Sequence, residues 1–321
     1  MLKLAALLTT YNRAQYLGEV LTSIRNQTCP RDEYELVVID DGSTDESAAI
    51  VRSFATELPI RYFHQKNAGL AAARNHGLSV AAAPVVLFMD DDDVVTPDTF
   101  SQHIRSHELH PEKEVAVLGF TKLQSEIAAD PLMHFVTDVS GYLFSYRQVR
   151  EGMFLDFEWF WGGRTSCKRN FVLESGSFNP SFRFGCEDIE LGYRLKQRGL
   201  KVAYNPRAVS IMIRKLSFDS FCDRLRRQGN SQYVFSRLCR DKQVQSWCEI
   251  DSFNDEWSKL APFHNIEVKR ARDLDRWARR SAELGLPLEN VVKDELHMSY
   301  YRAFKSTKFA GIAEMREAWR D

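Results

Sequence analysis

No stretch of this chain approaches the roughly 20 apolar residues that cross a bilayer. The longest candidate, Val80 to Met89, is about half that length and is interrupted by Pro84. The opening residues Met1 to Leu8 are too short for a signal peptide and run straight into polar ones, so they read as a strand. Cysteine is sparse: Cys29, Cys167, Cys186, Cys222, Cys239 and Cys248 form no Cys-x-x-Cys pair and no zinc-like grouping. At 321 residues a disulfide framework is not needed, and the thiols read as reduced, packed side chains of a cytoplasmic protein. Charge of one sign is also lacking. With 43 basic and 44 acidic residues, no global field points to nucleic acid or to a membrane. There is no Gly-x-Gly-x-x-Gly and no P-loop, which removes the main support for dinucleotide and ATP folds. Internal repeats and low-complexity segments are absent as well.

What stands out instead is Asp90-Asp91-Asp92-Asp93, directly after the apolar run Pro84 to Met89. Adjacent carboxylates repel one another, and a buried strand that empties into them is costly unless a cation is present. Two readings follow: a solvated acidic turn, or a site where hard oxygen ligands hold Mg2+ or Mn2+ against a phosphate. An EF-hand is excluded, since that loop needs Gly at its sixth position and Glu at its twelfth.

The first half alternates strand and helix signals. Leu4 to Leu8, Glu35 to Ile39, Ile60 to Phe63 and Pro84 to Met89 read as strands, the apolar ones suited to a buried parallel sheet. Between them, Leu17, Val20, Leu21 and Ile24 share one helical face. Ser43 and Glu46 have capping-box spacing before a helix through Ile50, Val51 and Phe54, and a third helix covers Ala71 to Val80. Thr96-Pro97 opens a helix with Phe100 and Ile104 facing inward. His103, His107 and His110 read as a solvated face of that helix rather than a metal site. This rhythm implies a mostly parallel sheet with right-handed crossovers, whose ligands bind beyond the carboxyl ends of the strands. Asp40-Asp41 and Asp90 to Asp93 both lie at such ends, which favours the metal reading. Asp130 to Gly185 is aromatic-rich and irregular, a helix runs from Glu187-Asp188 to Gly199, and Leu200 to Tyr204 is a further strand. From Ser217 onward the pattern is helical and arginine-rich, which sets a boundary near residue 215: a domain over 1–215 and a helical region over 216–321.

Thr9-Thr10-Tyr11-Asn12-Arg13, Val38-Ile39-Asp40-Asp41-Gly42-Ser43-Thr44-Asp45, Asn67 to Asn75 and Phe88 to Asp93 occur in the order seen in family 2 inverting glycosyltransferases of the GT-A fold. Gly176-Ser177-Phe178-Asn179, followed by Glu187-Asp188 and Leu191, resembles the acceptor-side motif of that family. The resemblance covers roughly residues 3 to 210. It implies an α/β, Rossmann-like GT-A domain with a helical C-terminal extension, acting on a nucleotide-diphosphate sugar, UDP-linked by preference.

By that resemblance Asp41 accepts from the imide N–H of a uracil, Asp92 meets the metal, and Asp90 or Asp91 meets ribose and sugar. Asp90 and Asp92 form the family's Asp-x-Asp. Asp188 is the base, with Glu187 binding the acceptor or holding Asp188. Physically, Tyr11 can stack on a base with Thr9 lining the same wall, and Arg74 can reach the diphosphate or the acid run. Asp93 shapes the turn. An alcohol acceptor is a poor nucleophile, so inversion needs a carboxylate to take its proton as the anomeric bond breaks. Trp159 and Trp161, before Gly162-Gly163, are candidates for a sugar platform, with Gly163 letting backbone approach the donor. Each has a plain counterpart: Tyr11 and the tryptophans as core aromatics, Asp41 as a turn residue, Arg74 as a helix-surface cation, Glu187 and Asp188 as capping charges.

The metal shell departs from the family. Many members carry a His just past the last strand, and Val209 to Lys215 has none. Either water and phosphate complete the shell, or Arg214 and Lys215 contact the diphosphate. In the C-terminal region Arg224, Arg226 and Arg227 could form a lid over the donor phosphates. Ala271, Leu274, Trp277 and Ala278 line one face of a helix that packs on its own domain, or meets an anionic membrane at its inner face, or a partner groove. The expected reaction is hexosyl or N-acetylhexosaminyl transfer to a glycan or a lipid-linked saccharide, metal-dependent, with no nucleic-acid partner. The alternatives are a sugar nucleotidyltransferase, which would want a glycine-rich loop where Leu8 to Asn12 has none, and a non-catalytic nucleotide-sugar-binding scaffold. Sugar, linkage and oligomeric state leave no signal.

Overall fold

The computed structural model describes residues 1–182, 184–286 and 288–319. Two compact units emerge: Met1–Gln124 with Tyr146–Arg183 and Glu187–Arg214, and Ser125–Ser145 with Phe184–Cys186 and Lys215–Asp321.

The first unit is built on one sheet. Its strands are β1 (Leu4–Thr10), β2 (Tyr34–Asp40), β3 (Ile60–His64), β4 (Val85–Met89), β5 (Asp93–Val95), β6 (Val115–Leu123), β7 (Phe154–Leu155), β8 (Thr165–Lys168) and β9 (Lys201–Met212). They lie in the order β3-β2-β1-β4-β8-β6-β9-β5, with β7 on β9. β1, β2, β3 and β4 run parallel, and β6 is parallel to β9. β8 is antiparallel to both β4 and β6, and β5 and β7 are antiparallel to β9. β1, β2 and β4 are buried along their whole length, as near-continuous apolar runs in a covered parallel sheet require. The helices α1 (Ala14–Arg25), α2 (Ser47–Ser53), α3 (Leu70–Val80) and α4 (Thr99–Leu109) follow the strands in the expected alternation. Leu17, Val20, Leu21 and Ile24 of α1 are buried against the sheet as their spacing predicts.

Three local expectations fail. No capping box forms at Ser43 and Glu46. α2 starts at Ser47, whose N–H is held by Asp45 Oδ1 (3.0 Å), while Ser43 Oγ accepts from Asn12 N (2.9 Å). His103 and His107 are not solvated: both are buried, joined through Ser166 of β8 to the sheet. Finally, β5 to β8 fall in a stretch where the sequence suggests no strand, because they are short, partly antiparallel, or hidden among aromatics.

The second unit contains α5 (Ser125–Ala128) and α6 (Pro131–His134). In chain order α7 (Arg169–Glu174) and α8 (Glu187–Lys196) belong to the first unit. The second then continues with α9 (Phe218–Leu238), α10 (Lys242–Trp247), α11 (Ile250–Leu260), α12 (His264–Glu283) and α13 (Asn290–Ala318). α9 and α13 approach closely through glycines: a Cβ at Gly229 would lie 2.0 Å from Lys308 O, and one at Gly311 would lie 2.0 Å from Arg226 O. Phe135, Phe218, Phe221, Tyr300 and Phe304 pack edge-to-face and stacked around this crossing. The buried Asp275 accepts from Tyr300 Oη (2.6 Å) and from Arg279 Nε (2.9 Å), so its charge is paired.

The buried stripe of α12 is Ala271, Asp275, Ala278 and Ser281; Trp277 lies outside it and is exposed, contrary to the face drawn from the sequence. Arg224 and Arg227 stand over the Phe184 ring, and Arg226 pairs with Glu314. No helix among the described residues is long and apolar enough to cross a membrane.

Candidate active site

The carboxyl ends of β1, β2 and β4 deliver the polar residues of the first unit to one edge, because a parallel sheet sends every strand out in the same direction. Past β1, Asn12 takes a left-handed conformation (φ 52°) and its Oδ1 accepts from Thr44 N (2.8 Å). Arg13 N and Ala14 N donate to Ser47 Oγ and Asp45 Oδ2, which stitches the first loop to the second. Thr9 is buried in β1 and Tyr11 stands exposed beyond it.

Asp40, fully buried, accepts from Ser43 N (2.7 Å) and Tyr62 Oη (2.7 Å). Burial pushes its carboxyl up, but these donors outweigh it and hold it below the usual carboxylate range. Asp41 accepts from Gln65 Nε2 (2.7 Å), Ala68 N (3.0 Å) and Gly69 N (2.8 Å), while its own N–H donates to Thr10 O (2.9 Å). Asp41 thus fixes the loop that opens α3. Asp40 and Gln65 are structural partners with no separate sequence signal beyond their place at a strand end.

The acid run does not stand alone. Each of its carboxylates faces a guanidinium: Asp91 faces Arg13 (3.5 Å), Asp90 faces Arg74 (3.6 Å) and Arg164 (3.4 Å), and Asp92 faces Arg214 (3.0 Å). Asp93 opens β5, accepts from Ser210 Oγ (3.1 Å) and lies 3.9 Å from Arg164. Burial drives the Asp91 carboxyl up to about 7, with the charge of Asp92 adding and Arg13 opposing. Burial likewise lifts Asp93 to about 8 against the pull of Arg164, and raises Asp92 against Arg214. Arg13, Arg164 and Arg214 come from three distant segments, which is why no local pattern marks them as a group.

The residues expected on the acceptor side join the same cluster. Arg74, buried at 3 % exposure, is not a surface cation: its Nη1 donates to Glu187 Oε1 (2.9 Å) while Nη2 faces Asp90. Next to it Asn75 clamps Phe178 of the acceptor-side motif, donating to its carbonyl (2.8 Å) and accepting from its N–H (2.8 Å). Asp188, half-buried in the first turn of α8, accepts from Gly162 N (2.8 Å) and from Ile189 N (2.8 Å). A Cβ at Gly162 would lie 2.3 Å from Arg74 Nη1, and one at Gly163 would lie 1.9 Å from Asp90 Oδ2. Any side chain there would displace the Arg74 guanidinium or the Asp90 carboxylate. Trp159 and Trp161 are half-buried and stack on each other (4.9 Å, 29°), whereas Phe160 between them is core, edge-on to Phe88. Lys215 pairs with Asp130 in the second unit.

Among the described residues no group of three or more His, Cys, Asp or Glu side chains is arranged to hold a metal ion. The donor set nonetheless suits one. Asp90 to Asp93 bring four carboxylates, hard oxygen ligands, to one strand end opposite Arg13, Arg74, Arg164 and Arg214.

The description "Glycosyl transferase family 2" matches residues 6–172, more than half of the chain. The protein belongs to glycosyl transferase family 2. It is 31% identical over 222 residues to a validoxylamine A glucosyltransferase of Streptomyces hygroscopicus subsp. jinggangensis, covering 61% of this chain and 52% of that one. The chain therefore spans about half the length of the curated relatives it matches. Among solved structures, the mannosyltransferase PcManGT from Pyrobaculum calidifontis, in complex with GDP-Man and Mn2+, superposes with a TM-score of 0.60 at 18% identity, over 99% of this chain and 88% of the other. S. aureus TarS 1–349, in complex with UDP-GlcNAc, gives 0.56 at 14% identity over 99% and 92%. At such identities these likenesses establish the GT-A fold, and with it the expected mixed α/β domain carrying a C-terminal helical region.

Proposed function

We propose that this family 2 glycosyltransferase moves a hexosyl or N-acetylhexosaminyl group, with inversion, from a nucleotide-diphosphate sugar to a hydroxyl of a glycan or lipid-linked saccharide. UDP is the preferred nucleotide. The observation that carries the reading is the joining of donor and acceptor carboxylates in one cluster: Arg74 bridges Asp90 to Glu187, and Gly162 N–H binds Asp188 beside it. In this reading the uracil stacks on Tyr11 against the wall of Thr9, with Asp41 near its imide. Asp90 and Asp91 meet ribose and sugar, and the donor sugar lies over Gly163 with Trp159 and Trp161 as its platform. Solved structures of similar fold, one in complex with UDP-GlcNAc and one with GDP-Man, support the donor class.

Asp188 then takes the proton from the acceptor hydroxyl. The freed oxygen pair forms the bond to the anomeric carbon on the face opposite the diphosphate, and the departing pair leaves with the nucleotide diphosphate. Two backbone N–H groups stabilise the Asp188 carboxylate, so it removes the proton as the new bond forms rather than beforehand. Glu187, locked by Arg74, orients this end of α8. Mn2+ or Mg2+, held by Asp92 and Asp90, would supply positive charge to the diphosphate leaving group. We assign the reaction to the cytoplasm. The six cysteines form no Cys-x-x-Cys pair and no zinc-like grouping, which suits a reducing compartment. The 216–321 region serves as a lid, or in partner or membrane-surface contact.

A thermal-shift screen of UDP- and GDP-sugars with and without Mn2+ tests the donor reading. Stabilisation by a nucleotide sugar that exceeds that by the free sugar is expected, and Asp41→Ala should lose it. No stabilisation by any nucleotide would contradict the reading.

A further inference from the structure

We infer that Arg214 is a displaceable counter-ion: it pairs with the metal edge of Asp92 and moves to the donor's diphosphate when donor and cation bind. This inference rests on the reading of Asp92 as a metal ligand. Arg214 Nη1 lies 3.0 Å from Asp92 Oδ2, so the carboxylate that would hold the cation is already neutralised by a guanidinium. A divalent ion and a guanidinium cannot both use that oxygen fully, and a cation arriving alone must break the pair.

Two features make Arg214 movable rather than structural. Its backbone is anchored beside the run, since Ile213 N donates to Asp92 O (2.9 Å) and Met212 pairs with Asp93 across β5 and β9. The guanidinium can therefore swing while its origin stays at the site. Its Nε is also buried without a hydrogen-bond partner among the described residues, so the resting position leaves a charged donor unsatisfied. A diphosphate offers what Asp92 does not: several anionic oxygens that match the guanidinium fork and satisfy more than one N–H. The position is also notable in sequence, because Arg214 falls just past the last strand, where no histidine is present to complete a metal shell.

The consequence is a linkage. Diphosphate binding removes the competitor from Asp92 and so raises cation affinity, and by reciprocity the cation raises nucleotide affinity. Mn2+ therefore binds weakly when no donor accompanies it, which spares the site from being loaded without a donor.

The test is Mn2+ titration followed by electron paramagnetic resonance of the free ion, on the full chain, with and without saturating UDP or GDP. Arg214→Gln is expected to bind Mn2+ alone about 10-fold more tightly than the wild type. It is also expected to bind the nucleotide more weakly in EDTA, where calorimetry reads the lost guanidinium. Arg214→Lys, which keeps the charge without the fork, should fall between the two and guards against misfolding of the glutamine variant. Equal Mn2+ affinity of Arg214→Gln and wild type, while Asp92→Asn abolishes binding, overturns the Arg214 assignment and leaves the metal reading standing. Mn2+ binding that survives Asp92→Asn overturns both.

Discussion

Gly163 has no side chain, and the site needs that: a Cβ at this position would overlap Asp90 Oδ2. Because the obstructing atom is the end of a side chain, Gly163→Ala should leave the fold intact and displace the Asp90 carboxylate. We expect unchanged thermal stability within about 1 kcal/mol and a loss of donor affinity measured by calorimetry. Wild-type affinity in that variant would separate Asp90 from the donor. At this scale the sequence was informative where a family pattern exists and silent where chemistry is assembled from afar. Asp90, Asp92, Asp188 and Arg74 are visible as motif members, and Gly163 by its place after the tryptophans. The partners of the acid run, Arg13, Arg164 and Arg214, come from three loops, and no window of sequence contains more than one of them. From sequence Arg74 reads as a surface cation as readily as a ligand, because its burial depends on the Phe178 ring and on Glu187, about 100 residues away.

α4 shows how an element can be legible in type and misread in face. Its inward Phe100 and Ile104 are buried as expected, yet His103 and His107 also turn inward. Lys168 Nζ, which can only donate, lies 2.8 Å from His107 Nδ1, so that nitrogen accepts and Nε2–H points to Ser166 Oγ. Ser166 in turn can donate to His103 Nδ1 (2.8 Å). The histidines are polar cross-links between helix and sheet, a role that needs β8, a strand with no sequence signal of its own. Burial pushes His103 down to about 3 and His107 down to about 2, the latter helped by Lys168.

Both histidines stay neutral in the native state while unfolded histidines take a proton near pH 6.5. The unfolded state thus binds more protons below that value, and stability is lost as pH falls from about 6.5 toward the folded values. The slope approaches about 1.4 kcal/mol per pH unit for each histidine well below pH 6.5, read from urea midpoints between about pH 7 and about pH 5. The double variant His103→Gln, His107→Gln should show a shallower slope, and an unchanged one would mean that the pair is not buried neutral.

At the scale of the molecule, the alternation of strands and helices through Leu109 made the parallel half of the sheet predictable, since buried parallel strands announce themselves as apolar runs. The other half was opaque. Its short antiparallel strands, β5, β7 and β8, are specified by partners rather than by period. The second unit was legible as helical, but the use of Ser125–Ser145 in it was not, because that segment is contiguous in sequence with β6 of the first.

The central claim is that the two carboxylate groups brought together at the sheet edge act on one donor and one acceptor, with Asp188 taking the proton. The direct measurement is nucleotide release from UDP-sugars and GDP-Man, with a glycan or water as acceptor, comparing the wild type with Asp188→Asn while nucleotide binding to both is followed by calorimetry. Equal nucleotide affinity with a rate lower by about 10²- to 10⁴-fold in the variant is the expected result. A variant that releases nucleotide at the wild-type rate would contradict it.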